Sequence, residues 1–217
     1  KYNMLIACPE FSTKKYPGAR WYQEGNVQDK EGEEGTIQPR NHWSFDAVNH
    51  IVAAVRARTH AKGKVIIFGH SAGGQFMHRY SLLDGRADVD AIVCANAGWF
   101  TMPDDTTCYP YGTKGLGLSD ADLASAFALP VIMLMGSEDV SREQPFRATP
   151  EADAQGKNRM ERCLHYFDAC QKKAEELGVP FNWKKGVVEG AAHEGGKMAE
   201  GAMKLFCEEP LDETVGM

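Results

Sequence analysis

Lys64-Val65-Ile66-Ile67-Phe68-Gly69-His70-Ser71-Ala72-Gly73-Gly74-Gln75-Phe76-Met77 is the stretch on which the reading of this chain turns. Its first half is a run of β-branched and aromatic residues, the pattern of a short buried strand. The run ends in Gly-x-Ser-x-Gly and passes at once into a helical pattern, so the order is strand, sharp turn, helix. Glycines at 69 and 73 are expected to leave room for a strained backbone at Ser71 and for close approach of strand and helix, so that the hydroxyl stands exposed above the sheet edge. The amide of Ala72 would then open a helix and point to where an oxyanion forms. The competing reading is a Gly/Ser-rich turn that only joins two elements; the flanking strand and helix favour the reactive one.

Working outward, Asn3–Cys8 reads as a short apolar strand closed by Pro9-Glu10-Phe11. A long loop from Ser12 to Asn41 follows, with Tyr16, Trp21 and Tyr22 in it. Trp21 and Tyr22 either line a substrate cleft or anchor the loop to the core. Ser44 is expected to cap a helix to about Thr59, in which Phe45, Val48, Ile51, Val52 and Val55 repeat at helical spacing. After the serine come a helix to about Leu83, a strand at 89–95 ending in Asn96-Ala97-Gly98-Trp99-Phe100, an irregular stretch, and a helix from Ser119 to Phe127. Residues 131–135 are apolar without a break, as in a strand buried on both faces. A loop through Gly156 leads to a helix from about Asn158 to Leu177, stopped by Gly178 and Pro180. A last strand at 181–189 and a helix from about Gly196 to Cys207 complete the pattern. Strands alternating with helices at this rhythm predict a mostly parallel sheet covered on both faces.

A chain of 217 residues fits one domain, 1–217. With 43% hydrophobic and 25% charged residues the balance is that of a soluble globular chain, and no apolar run approaches a membrane span. A net charge of −6 with scattered Lys and Arg disfavours nucleic acid. The six cysteines, at 8, 94, 108, 163, 170 and 207, have no zinc-ligand spacing and are too few to staple the fold. One or two disulfides stay open, and with them the compartment, whether secreted, periplasmic or cytoplasmic.

A serine hydroxyl is a poor nucleophile at neutral pH. It needs a base to take its proton and a carboxylate to orient that base. In a parallel sheet, functional groups gather at the carboxyl ends of the strands. Asp139 follows the strand at 131–135 in Gly136-Ser137-Glu138-Asp139, and His193 follows the last strand in Gly190-Ala191-Ala192-His193. Both are expected on the edge that carries Ser71. Glu138 is the neighbouring alternative acid. His70 reads as a wall or packing residue of the turn, and Trp99 and Phe100 either line an acyl or leaving-group pocket or fill the core.

The order Ser71, Asp139, His193 resembles that of the α/β-hydrolase superfamily. Within it, the chain resembles the polyhydroxybutyrate depolymerase and feruloyl esterase-like branch. That likeness rests on Pro9-Glu10 with the nearby Trp21, Gly69-His70-Ser71-Ala72-Gly73-Gly74, Asn96-Ala97-Gly98-Trp99 and the turns bearing Asp139 and His193. The resemblance implies an α/β-hydrolase fold in which Ser71 is the nucleophile, His193 the general base and acid, Asp139 its orienting carboxylate and the Ala72 amide one oxyanion donor. It implies ester cleavage through an acyl-enzyme, on a small-molecule or polymeric ester, with no metal or organic cofactor. A peptidase or amidase would use the same groups. The superfamily also carries a strand before the one resembling Asn3–Cys8, ending in a His-Gly oxyanion turn, and this sequence has no such segment. The chain is therefore expected to be N-terminally incomplete, part of a longer polypeptide or completed by a second chain. Half an oxyanion hole would cut activity by orders of magnitude, which keeps a catalytically silent binding protein as the alternative.

Overall fold

The computed structural model describes residues 4–60, 62–85, 88–142 and 145–207. Strands β1 (Ile66–His70), β2 (Ala91–Ala95), β3 (Val131–Gly136) and β4 (Lys184–Val188) form one sheet in that order, each neighbouring pair parallel. Parallel neighbours need crossovers. Here α3 (Ala72–Leu83) links β1 to β2, α4 (Asp120–Phe127) lies between β2 and β3, and α5 (Pro150–Gln155) and α6 (Arg159–Leu177) lie between β3 and β4. Helix α7 (Gly195–Cys207) follows β4, while α1 (Gly18–Trp21), a 3-10 turn (Arg40–His42) and α2 (Asp46–Thr59) precede β1.

The period-two alternation of the strands divides the core in two. Ile92, Cys94, Val131, Met133 and Met135 point into one cluster with Phe76, Met77 and Tyr80 of α3, Phe127 of α4 and Cys163, Tyr166 and Cys170 of α6. Val93, Ala95, Ile132 and Leu134 point the other way, onto Met198 and Ala202 of α7. Every residue of β2 and β3 is buried, as their unbroken apolar runs require, whereas β4 at the sheet edge is half exposed. Local chemistry sets the helix ends. Ser119 and Asp122 form a reciprocal capping box at α4, and the Asn158 side chain accepts from the Glu161 N–H at α6. Gly178 ends α6 in the left-handed conformation, φ 66°.

Four expectations are corrected. Residues 4–8 form no strand: Met4, Leu5 and Ile6 are 43, 61 and 74% exposed. An extended run gains a ladder only from a hydrogen-bonding neighbour, and an apolar groove of about 930 Å³ separates this segment from β1. Asn3 lies outside the described residues. Ser44 does not cap α2, whose N-cap is Phe45; the Ser44 Oγ is buried without a partner and its carbonyl accepts from Ala47 N–H instead. Helix α5, capped by Thr149 with Pro150 in its first turn, interrupts what read as a loop. The long loop holds α1 and the 3-10 turn, elements too short to show a periodic pattern.

Among the described residues, five cysteines (8, 94, 108, 163 and 170) are free thiols. No helix there is long and apolar enough to cross a membrane.

Candidate active site

β1 delivers Ser71 at its carboxyl end. The turn is tight: Ser71 sits at φ 56°, ψ −113°, a region that side chains rarely occupy, and its N–H donates to Ala95 O at 2.9 Å. A Cβ at position 69 would lie 2.3 Å from the Gly73 carbonyl oxygen, and one at position 74 would lie 2.5 Å from Ala95 O. Both must be glycine. The second glycine that strand and helix need is therefore Gly74 rather than Gly73, which contributes the carbonyl that Gly69 accommodates. Ala72 opens α3, so its N–H is among those with no intrahelical acceptor.

The structure brings three of the residues read from sequence into one hydrogen-bonded chain. His193 Nε2 lies 2.8 Å from Ser71 Oγ, and its Nδ1 lies 2.7 Å from Asp139 Oδ2. Because a carboxylate only accepts, Nδ1 carries the proton and Nε2 is free to accept from the serine hydroxyl. Asp139 is buried at 2% exposure, while Glu138 beside it faces solvent. Of the two carboxylates, Asp139 is the one turned inward.

Two residues that the sequence reading did not single out hold this chain in place. Arg159, at the first position of α6, donates from Nη1 to Asp139 Oδ1 at 3.1 Å, and both side chains are buried. Asn96, left-handed at φ 46° just after β2, accepts the Gly136 N–H at 2.8 Å and donates to Ala192 O at 3.1 Å. One amide side chain thus ties the end of β3 to the residue before His193. The Gly190 N–H donating to Ser137 Oγ at 2.9 Å adds a second tie between the same two loops. Asn96 was visible in the sequence only as part of the Asn-Ala-Gly-Trp stretch, and nothing local marks Arg159.

His70 lies beside His193, ring centroids 4.8 Å apart. Burial first, and the neighbouring His193 second, push it down to about 4, so it is neutral near pH 7. Tyr22 is half buried, stacked on Phe76 at 5.4 Å, and a Cβ on Gly73 would lie 3.3 Å from its hydroxyl. It both anchors its loop and borders the groove that runs past Gly69 and Gly73. Burial raises its phenol above the ordinary value. Trp21 lies instead in a separate shallow recess with Arg20, Asn26, Asp29, Gln38 and His42. The expectation of a pocket at Trp99 and Phe100 is corrected. Trp99 is 3% exposed, its ring flanked by the guanidiniums of Arg79 and Arg147 at 4.2 and 4.7 Å. Phe100 is fully buried, stacked on Tyr166, with its N–H and C=O both held by the Gln155 side chain. Both fill the core. Among the described residues, no three His, Cys, Asp or Glu side chains converge as a metal site would require.

A parallel sheet wrapped by helices, with a strained serine after one strand and an acid and a histidine after two later ones, defines an α/β hydrolase. The chain belongs to that superfamily, in the branch its motifs resemble. Over 91% of its length it is similar to poly(aspartic acid) hydrolase-1 from Sphingomonas sp. KT-1, with 36% identity and a TM-score of 0.83, covering 74% of that chain. It is also similar to LpqC, a poly(3-hydroxybutyrate) depolymerase from Bordetella parapertussis, with 34% identity and a TM-score of 0.81, over 91% of this chain and 66% of that one. No protein-family model matches the chain, and no curated protein does.

Proposed function

We propose that the protein is a serine hydrolase that cleaves carboxylic esters through an acyl-enzyme intermediate. The observation that carries this reading is the unbroken chain from Ser71 Oγ through both nitrogens of His193 to Asp139, at 2.8 and 2.7 Å. Ser71 attacks the acyl carbon while its proton passes to His193 Nε2, and Asp139 supports the imidazolium that forms. The tetrahedral oxyanion takes a hydrogen bond from the Ala72 N–H. His193 then returns the proton to the departing alcohol. Water, deprotonated by the same nitrogen, attacks the acyl-serine and releases the acid. No step in this sequence calls for a metal or an organic cofactor.

The two similar proteins are named for polymers with different linkages, poly(aspartic acid) for an amide and poly(3-hydroxybutyrate) for an ester. The same groups serve either bond, so an amidase is the nearest rival. Short acyl esters assayed beside peptides separate the two, and we expect the esters to turn over while the peptides stay uncut; peptide cleavage would favour the amidase, since an amidase cleaves labile esters as well. A fluorophosphonate should modify the wild-type protein at Ser71. Ser71→Ala should lose about 10⁴-fold or more in turnover and take no label. Wild-type protein that refuses the label removes the proposal and leaves the silent binding protein, whereas an alanine variant that keeps full turnover removes it by showing that Ser71 is not the nucleophile.

A further inference from the structure

We propose that Arg159 is a positioning residue for His193, acting through Asp139: it occupies one carboxylate oxygen so that the other is held for the imidazole, and its charge sets the pH range in which His193 works as a base. This rests on the serine-hydrolase reading above.

The geometry separates the two oxygens cleanly. Oδ2 accepts from His193 Nδ1 at 2.7 Å and Oδ1 accepts from Arg159 Nη1 at 3.1 Å. A carboxylate bonded at one oxygen alone can turn about its last side-chain torsion, a broad well, and carry the imidazole with it. Bonded at both, it cannot turn without breaking a charge-assisted bond. The same guanidinium also holds the loop downstream of Asp139. Nη1 donates to Ser141 O at 3.4 Å, Nη2 to Pro145 O at 3.1 Å, and the group lies 5.2 Å from the Phe146 ring.

Helix stability does not account for this arginine. Arg159 stands at the N-terminal end of α6, where the positive pole of the helix opposes a cation. Burying the pair has a desolvation cost that the mutual attraction often only just recovers, so a gain to the fold is a weak reason for it. Arg162, one turn on, shows the alternative use: it donates to Asp153, Gly98 O and Gly156 O and makes no hydrogen bond to Asp139.

The charges around His193 fix the sign of the effect. Asp139 faces it from the loop after β3, and Arg159 stands behind that carboxylate from α6. His70 faces it from the end of β1, neutral for the reasons given above. Ser71 faces it uncharged. On its own segment Glu194 pairs with Lys197 at 2.7 Å, and Glu138 is exposed near Lys197. Arg159 therefore offsets part of the pull of Asp139 on an imidazolium. Without it, the protonated ring persists to higher pH, and the base becomes available later as pH rises.

The test is the pH dependence of fluorophosphonate labelling, with kcat and KM on a short acyl ester, for wild type, Arg159→Met and Arg159→Lys. In Arg159→Met the acidic limb of the labelling rate should move up by about one pH unit. Its kcat should fall about tenfold, with KM little changed. Arg159→Lys should return the limb to the wild-type position but recover kcat only in part, because one ammonium cannot reach Asp139, Ser141 O and Pro145 O together. A folded Arg159→Met with an unmoved limb overturns the proposal, whatever its kcat. If that variant does not fold, the lysine variant decides: unchanged kcat, or a shifted limb, overturns it. Failure of the underlying reading looks different, as wild-type protein that neither labels nor turns over ester, and it defeats both.

Discussion

Ser71 combines a reactive role with an unfavourable backbone. At φ 56°, ψ −113° its Cβ crowds the chain, and such conformations cost on the order of 1–3 kcal/mol. Ser71→Ala retains that Cβ and the strain. Ser71→Gly releases it, at the price of about 0.5–1 kcal/mol of chain entropy. The glycine variant is expected to be more stable than the alanine variant by about 1 kcal/mol, or ~2–4 °C in Tm, with both inactive. Equal melting temperatures in a thermal scan would limit the strain stored at this turn to the about 0.5–1 kcal/mol that the glycine's chain entropy offsets, and an alanine variant that melts higher would refute it. At this scale the sequence was legible for Ser71, Asp139 and His193, because each pairs a reactive side chain with a place just past a strand. Arg159 was not legible: what makes it matter is a carboxylate on the preceding loop that only the folded chain brings alongside. Trp99 and Phe100 stayed open between pocket and core for a related reason, since a site-edge address says nothing about which way a side chain faces, and both are buried.

The loops after β2, β3 and β4 act as one assembly because Asn96 joins them. Its backbone is left-handed at φ 46°, tolerable for Asn, and its side chain satisfies a buried N–H on Gly136 and the carbonyl of Ala192. Asn96→Ala leaves two polar groups without those partners and puts alanine at positive φ, so stability should fall by about 2–4 kcal/mol. Asn96→Gly keeps the backbone geometry and isolates the lost tie. We expect it to lower kcat more than it raises KM, because the tie ends one residue before His193. Urea titrations of both variants beside steady-state kinetics measure these effects; a glycine variant with wild-type kcat would show that the His193 loop is held without Asn96. Elements with long periodic patterns or explicit caps, such as α3, α4 and α6, could be placed from sequence. The short ones could not. A six-residue helix carries too few positions for periodicity, and the apolar run at 4–8 read as a strand because composition records β-propensity, not whether a pairing neighbour stands beside it.

For the whole molecule, the alternation of strands and helices made the parallel sheet readable, since both faces of β2 and β3 had to be covered. Acid stability was not readable, because it depends on which histidines the fold seals. His78, on α3, is fully buried against the rings of Phe100 and Tyr166. Its Nδ1 lies 3.3 Å from Gly74 O, and its Nε2 accepts the Thr101 N–H at 3.1 Å. Burial first, then the Arg79 charge, hold it well below its ordinary 6.5, and His70 is held near 4. A native pKa below the unfolded one means that the unfolded chain binds the proton first. The contribution to stability is therefore complete above about pH 6.5 and is lost as pH falls toward the native value. His78 alone should remove about 1.4 kcal/mol per pH unit below 6.5, with a smaller share from the partly exposed His70. Glu24 works in the opposite direction, since burial raises it above its ordinary 4.5 and protonation there favours the folded state, but only toward the acid end of the range. Between about pH 6.5 and 5.5 the histidines should dominate. The unfolding free energy from urea titrations should change little from about pH 8 to 7 and fall by about 1–2 kcal/mol from 6.5 to 5.5. A flat profile through that second interval would refute this account, because it would mean that the folded chain takes the proton on His78 Nε2 as readily as the unfolded chain does, although that nitrogen must then give up the bond it accepts from Thr101 N–H.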